Sequence, residues 1–465
     1  MATSAKLVRG SVVGHLVGQT APMIIGVAAL MSIGLVDAYF IGQLGPDELA
    51  AIAFIFPIGV AVASLGVGLM VGINSVVSRT LGGGDEGKAS DYANIGVAFS
   101  VATGMALGLL LYVLLDPLFL LMNADRELLP LIRDYMRPFA LGLVLQMAIM
   151  GLNGVLRGQG EARKTSLVSV AYAATNWVLD PILITGMFGF EGFGIAGAAY
   201  ASVIGWAVGV LLAYRLLKAT ALRLDLASIR SRPIAPPLKI ITAVAGPAAF
   251  SNAINPIGLS VLTALAALEG QAAVAGFGAA GRVQSFAVVP LLALSGAIGA
   301  IVGQNWGARR FDRARKAAVY AFGFCIAFGL SVGAVLALNG HWFAQFFSDS
   351  EAVIGEFARY LEIAAWGYAA YGLLIVGNGI LNAVGHAGWA LAQSGARVFL
   401  VMLPVAWLGR EAFGADAIYA SELLANLAGG GLAVAIVWRL VGGRGRKASG
   451  TPATGVRPAD TAPTT

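Results

Sequence analysis

Asn153-Gly154-Val155-Leu156, followed by Gly160, returns 225 residues later as Asn378-Gly379-Ile380-Leu381, followed by Gly385. The same offset carries Pro22 onto Pro247, Gly45 onto Gly270, Gly82 onto Gly307 and Tyr135 onto Tyr360. One constant offset held over so long a stretch marks a tandem duplication. A period of this length implies two whole structural units rather than a short solenoid repeat.

Composition says what the units are made of. Of the 465 residues, 58% are hydrophobic and only 12% are charged, whereas an ordinary soluble domain carries roughly 25% charged residues. The excess apolar surface must face lipid. The 62 glycines fit that setting, because small residues let helices approach closely in a bilayer. Twelve stretches are long enough to cross roughly 30 Å of hydrocarbon: 12–41, 49–76, 92–115, 129–155, 165–187, 194–217, 238–267, 272–303, 317–338, 355–381, 390–409 and 417–440. Pro22, Pro57, Pro247 and Pro290 fall inside them and predict kinks, since neighbouring groups can satisfy the freed carbonyls. Each copy holds six stretches, an even number, so both copies enter the membrane from the same side and the repeat is parallel. The expected fold is an all-α polytopic membrane protein of two six-helix lobes, related by a pseudo-twofold axis around a central cavity. The lobes span 1–217 and 238–442, joined by a linker at 218–237 that contains Pro233, Pro236 and Pro237, and a disordered tail occupies 443–465.

Charge sets the orientation. The loops at 77–91, 156–164, 218–237 and 304–316 carry Lys and Arg, among them Arg79, Lys88, Arg157, Arg163, Arg230, Arg309 and Arg313. Those at 42–48, 188–193 and 268–271 carry Asp47, Glu48, Glu191 and Glu269 and no basic residue. Arg126 and Arg410 are exceptions. Basic loops stay cytoplasmic, which predicts a multi-pass protein of the cell (inner) membrane with both termini and the linker inside. The scattered basic residues argue against nucleic acid as a partner. No GxxxxGK[ST] loop occurs, so ATP is not the expected energy source. A lone Cys325 and three distant histidines, His15, His341 and His386, give no cysteine- or histidine-based metal site. Lys6 and Arg9 precede an apolar run too long for a signal peptide's core.

Val302-Gly303-Gln304-Asn305-Trp306-Gly307-Ala308, its counterpart Ser78-Arg79-Thr80-Leu81-Gly82, the first-helix pattern of Pro22 with Val36-Asp37-Ala38-Tyr39-Phe40-Ile41-Gly42, and the Asn153–Gly160 segment together resemble the MATE family of multidrug and toxin extrusion transporters. The resemblance covers roughly 10–440. The NorM-like branch of that family places a Glu eight residues after the proline matching Pro247, where this chain has Asn255. The DinF-like branch has Asn-x-x-x-Asp in the fifth helix, and this chain has Asn176-Trp177-Val178-Leu179-Asp180, so the resemblance is to the DinF-like branch.

A carboxylate in a bilayer costs several kcal/mol when unpaired and is a functional candidate by default. Asp37 in the first helix and Asp180 in the fifth lie at similar depths, within about 3 Å along the normal. Asn176 is one turn below Asp180 on the same face, and Ser202 enters the same layer from the sixth helix. The resemblance implies that these four form a cation-binding, coupling site. By the 225 offset Asp37, Asn176 and Asp180 map to Leu262, Val401 and Val405, so the second lobe is expected to lack the carboxylates. They could instead be satisfied polar residues bracing a bundle. Arg282, near mid-membrane in the eighth helix, either pairs with a helix carbonyl or Gln284 or lines the central cavity. Asn252 and Asn255 either face that cavity or bond between helices. Glu362 and Glu422 are further candidates.

The reading is therefore a non-enzymatic, H⁺- or Na⁺-coupled antiporter with no cofactor. It would act as a monomer and export cationic or amphipathic organic compounds by alternating access. Asp37 and Asp180 would not both ionise easily, so a proton or Na⁺ would relieve their repulsion. A lipid-linked precursor flippase of the same superfamily is the alternative, and its phosphates would call for a basic cavity. A non-transporting scaffold or receptor is the second.

Overall fold

The computed structural model describes residues 5–442 except 188, 190, 223 and 226–232. Every regular element among them is helical, and twelve helices are long and apolar enough to cross a membrane. They are α1 Val12–Gly42, α2 Pro46–Gly82, α3 Glu86–Leu121, α4 Leu129–Gly158, α5 Ala162–Thr185 and α6 Ile195–Lys218 in the first lobe. The second has α7 Ala235–Ala267, α8, α9 Phe311–Leu338, α10 Glu351–Ala383, α11 Ala387–Phe413 and α12 Ala415–Gly442. Most of the linker and the expected tail at 443–465 lie outside the described residues.

Two expectations need correction. The eighth segment is two helices, Gln271–Ala287 and Val289–Gly307, broken at Val288. Pro290 supplies no N–H and its ring would clash with the carbonyl one turn earlier, so the ladder stops there. The basic loops at 77–91 and 304–316 are also far shorter than expected. Only three residues separate α2 from α3, and three separate α8 from α9. Arg79, Lys88, Arg313, Arg315 and Lys316 thus ride on helix ends. Helices continue past the apolar region until a cap stops them, as Asp85 does for α3 by accepting from the backbone N–H of Lys88 at 2.9 Å.

The duplication is visible in the backbone. Gly160 and Gly385 have φ of 75° and 84°, and Gly45 and Gly270 have φ of 157° and 122°. These repeat-related turns use a conformation that favours glycine. The lobes meet on a pseudo-twofold axis. α2 packs on α7 and, reciprocally, α1 on the second half of α8, while α2 and α8 meet each other. Gly82 lies against the carbonyl of Gln304 and Gly307 against that of Arg79, so closely that a Cβ would sit 2.0 and 1.9 Å from the two oxygens. Gln304 is the repeat partner of Arg79, which makes the contact self-complementary. The N-terminal turn straps the same end. Leu7 N–H donates to Gln304 Oε1 at 3.0 Å, Asn305 Nδ2 donates to the Leu7 carbonyl at 3.1 Å, and Lys6 pairs with Glu161 of the first lobe. The close α2–α7 approach involves Gly68 and Gly72 against Ile241, Ala245 and Ala249, all in the halves nearest that strap. The first half of α8, by contrast, packs within its own lobe, against α10 and α7.

Candidate functional site

α1 and α5 lie side by side along their length. Gly26 approaches Ser166, whose hydroxyl donates to the Pro22 carbonyl at 2.5 Å, and Ala29 and Ile33 pack on Ala173. Small residues at these crossings bring the helices close and carry the register forward to Asp37 and Asp180, whose carboxyls face one another. At Asp180 the α-helix gives way to a π-helical turn, Pro181–Thr185. Pro181 cannot donate to the preceding turn, and π-turns inside helices often mark functional positions.

The surroundings are closed but polar. Asn176 and Asp180 are wholly buried and Ser202 is 5% exposed. Asn176 Nδ2 donates to Ser202 Oγ at 3.5 Å. Both carboxylate oxygens of Asp180, one of Asp37 and the carbonyl oxygen of Asn176 are buried with no hydrogen-bond partner. Buried acceptors without donors are costly, and here four of them occur on three neighbouring side chains. Such a set of oxygens suits a proton or a hard cation. Tyr135 of α4 and Tyr172 of α5 face the same two carboxyls. Tyr172 also lies against Ser202 and Trp206, the rings of Tyr172 and Trp206 being 6.4 Å apart, and Phe139 packs edge-on to Trp206 at 5.6 Å. The two tyrosines were missed as site residues by sequence reasoning. Tyr135 had stood out only as a repeat landmark.

Of the residues assigned to a substrate cavity, none joins this cluster. Asn252 bonds to its own helix, Nδ2 donating to the Ala248 carbonyl at 2.8 Å. Asn255 accepts from Arg397 Nη1 at 2.7 Å. Arg282 is exposed, and Gln284 bonds to Glu422 and Tyr360 rather than to Arg282. Arg397, 3% exposed, was overlooked in the sequence. Its Nε donates to Asn426 Oδ1 at 2.9 Å and its guanidinium lies over the Tyr371 ring at 5.0 Å.

The positions equivalent to Asp37, Asn176 and Asp180 carry Leu262, Val401 and Val405, and the buried carboxyl group of the second lobe stands elsewhere. Gly194 before α6 and Gly414 before α12 share one unusual conformation, with φ of 58° and 57° and ψ of −139° and −137°. Matching these caps changes the repeat offset from 225 to 220, so the second lobe has five fewer residues ahead of its last helix. Under that offset, the partner of Ser202 is Glu422, which is 2% exposed. Leu262 does stand opposite Asp37 under the 225 offset, so the lobes place their carboxyl groups on different helices.

Comparison with known proteins places these features in context. The MatE family profile matches residues 22–182 and again 247–408, once per lobe. A FAD transporter from Shewanella oneidensis is 30% identical over 412 residues, covering 89% of this chain and 91% of that protein. The multidrug export protein MepA of Staphylococcus aureus is 24% identical, covering 87% and 89%. The crystal structure of the Vibrio cholerae MATE transporter VcmN in the bent form superposes with a TM-score of 0.87 at 26% identity, covering 96% of this chain and 99% of the other.

Proposed function

The chain belongs to the MATE family of multidrug and toxin extrusion transporters, and we propose that it is a secondary active exporter driven by H⁺ or Na⁺ through the Asp37–Asp180 cluster. It is a twelve-span membrane transporter and not an enzyme. The observation that carries the coupling reading is the set of unpartnered oxygens on Asp37, Asn176 and Asp180. An empty cluster sets two carboxylates against each other. A bound cation cancels that repulsion and draws α1, α5 and α6 together. The cation then contributes differently to the two lobe arrangements, which is what a coupling ion must do. The Asn176–Asp180 pair supports assignment to the DinF-like branch, and the basic helix ends support cytoplasmic termini. The protein would act as a monomer, because one chain supplies both lobes.

Multidrug relatives such as MepA support cationic or amphipathic organic substrates. The FAD transporter relative supports a second reading, a flavin nucleotide. Arg282, exposed on the first half of α8, would offer a charge to phosphate. Proteoliposomes with an imposed pH or Na⁺ gradient test both. Gradient-driven movement of a fluorescent organic cation is expected for the first substrate class, and movement of FAD for the second. Movement of neither under either gradient, from protein that superposes on its folded spectrum, would overturn the exporter reading.

A further inference from the structure

Three side chains from three helices close a ring inside the second lobe. Gln284 of α8 donates from Nε2 to Oε1 of Glu422 in α12. The hydroxyl of Tyr360 in α10 lies 2.7 Å from Gln284 Oε1 and 2.7 Å from Glu422 Oε2. All three residues are buried. The ring has three contacts, and each needs one hydrogen. With an ionised carboxylate, the amide hydrogen fills the Gln284–Glu422 contact. The single phenolic hydrogen fills one of the other two. The last contact then sets two acceptor oxygens against each other at hydrogen-bond distance. Turning the amide over does not help. Its nitrogen would donate to the tyrosine oxygen and the tyrosine to Glu422, leaving the amide oxygen against the carboxylate. One more hydrogen, carried by Glu422, completes the ring in either orientation. We propose that Glu422, Gln284 and Tyr360 form a proton-binding site in the second lobe, loaded with its proton in the conformation described here.

The location supports the assignment. Tyr360 repeats Tyr135, and Glu422 occupies the position of Ser202, so the ring is the duplicate of the first-lobe cluster with its carboxyl moved to another helix. Tyr368 and Tyr371 of α10 and Arg397 of α11 face the same region, and the buried Tyr368 hydroxyl has no partner. Arg397 is the one opposing influence, since a nearby cation favours an ionised carboxylate. Its guanidinium is, however, engaged by Asn255, Asn426 and the Tyr371 ring. Glu356, Arg359 and Asp416 gather around Tyr419, whose ring packs edge-on against that of Tyr360 at 5.4 Å, and there Arg359 is paired with Asp416. The ring ties the first half of α8 to α10 and α12, so its proton braces the lobe whether or not Asp37 and Asp180 couple transport.

The test compares the full-length wild type with Glu422→Gln in detergent at neutral pH. The infrared difference between them is expected to contain one deuterium-sensitive carbonyl band of a protonated carboxyl group. A difference containing only carboxylate bands would overturn the proposal. A glutamine at 422 brings its own N–H, so the unfolding midpoint is expected to be unchanged or raised. A lowered midpoint that Arg397→Met restores would identify Glu422 as an ionised partner of Arg397 and also overturn it. Should Glu422→Gln not fold, Tyr360→Phe leaves the carboxyl in place and removes two of the three ring contacts. The amide hydrogen alone then fills the Gln284–Glu422 contact that remains, so the protonated-carboxyl band of the wild type is expected to shift or disappear, and a band that is present and unmoved would count against the ring.

Discussion

Asp180 and Asp37 are the side chains on which coupling is proposed to rest, and each can be altered without changing its size. Asp180→Asn and Asp37→Asn remove a titratable group while keeping a polar one. Both variants are expected to fold, because an amide replaces a buried carboxylate that is costly to desolvate. Substrate should still bind, while gradient-driven efflux should fall by about 5- to 150-fold, the usual span of a coupling free energy. If the pair acts as one site, the double variant is little worse than either single one. Losses that multiply cleanly in a transport assay would show two independent sites. Asn255 makes a contrasting case. It holds the buried guanidinium of Arg397, so Asn255→Ala should lower stability by about 1.5–3 kcal/mol, the worth of a hydrogen bond to a charged group. The ion dependence of transport should survive. Chemical denaturation alongside transport measures both, and lost coupling at full stability would move the coupling site into the second lobe. Asp37, Asn176, Asp180 and Ser202 were legible as a cluster because polar residues are scarce enough in apolar spans to be noticed one by one. Tyr135, Tyr172 and Arg397 were not, since aromatic residues are common in such helices and an arginine gives no sign in sequence of which side it faces.

At the scale of the helix, apolar length made the twelve spans readable, and constant spacing made the duplication readable. What spacing could not reveal was the shortened connection before α12, because no motif marks the cap at Gly414. A constant offset carried beyond that point pairs every residue of α12 with the wrong partner, which is why Glu422 was not recognised as the counterpart of Ser202. The ends of α2 and α8 carry a different kind of information. The Ser78–Gly82 and Val302–Ala308 segments, noticed as motifs, turn out to be where the lobes touch backbone to backbone. Gly307→Ala places a methyl group against the Arg79 carbonyl, where a Cβ would stand only 1.9 Å away. Overpacking of this sort costs about 1–3 kcal/mol, and the cost falls only on the arrangement in which these ends are joined. The variant should therefore populate the opposite arrangement about 5- to 150-fold more. Increased thiol labelling of a cysteine introduced at Ser75, whose hydroxyl now donates to the Asn382 carbonyl at 2.5 Å, would report the opening. Labelling equal to that of the parent would show that the contact does not gate the lobes.

Across the whole molecule, two lobes joined at one end can exchange access only if that end releases. That end carries the N-terminal strap, the Gly82–Gln304 and Gly307–Arg79 contacts and most of the basic residues on helix ends, and the proposed topology puts it on the cytoplasmic side. A cysteine at Ser228 should then react only with permeant reagents in intact cells and one at Gly192 with impermeant ones, and the reverse pattern would invert the assignment. The release itself can be tested with a covalent tie. Ser78 and Gly303 are repeat partners that meet on the axis, the Ser78 Cβ lying 2.9 Å from where a Cβ on Gly303 would be, so the two helix ends must separate by about 1 Å to reach a disulfide's usual Cβ spacing of about 3.8 Å. Cys325 is the only native cysteine and is buried, which leaves a quiet background for an introduced pair. Oxidation of Ser78→Cys with Gly303→Cys should hold the lobes in the arrangement seen here and stop transport, while substrate added from the open side still binds. Reduction should restore transport, because each lobe is otherwise untouched. Transport that continues at its original rate through a complete cross-link would mean that this end never parts, and the rocking of two rigid lobes would have to give way to movement within a single lobe.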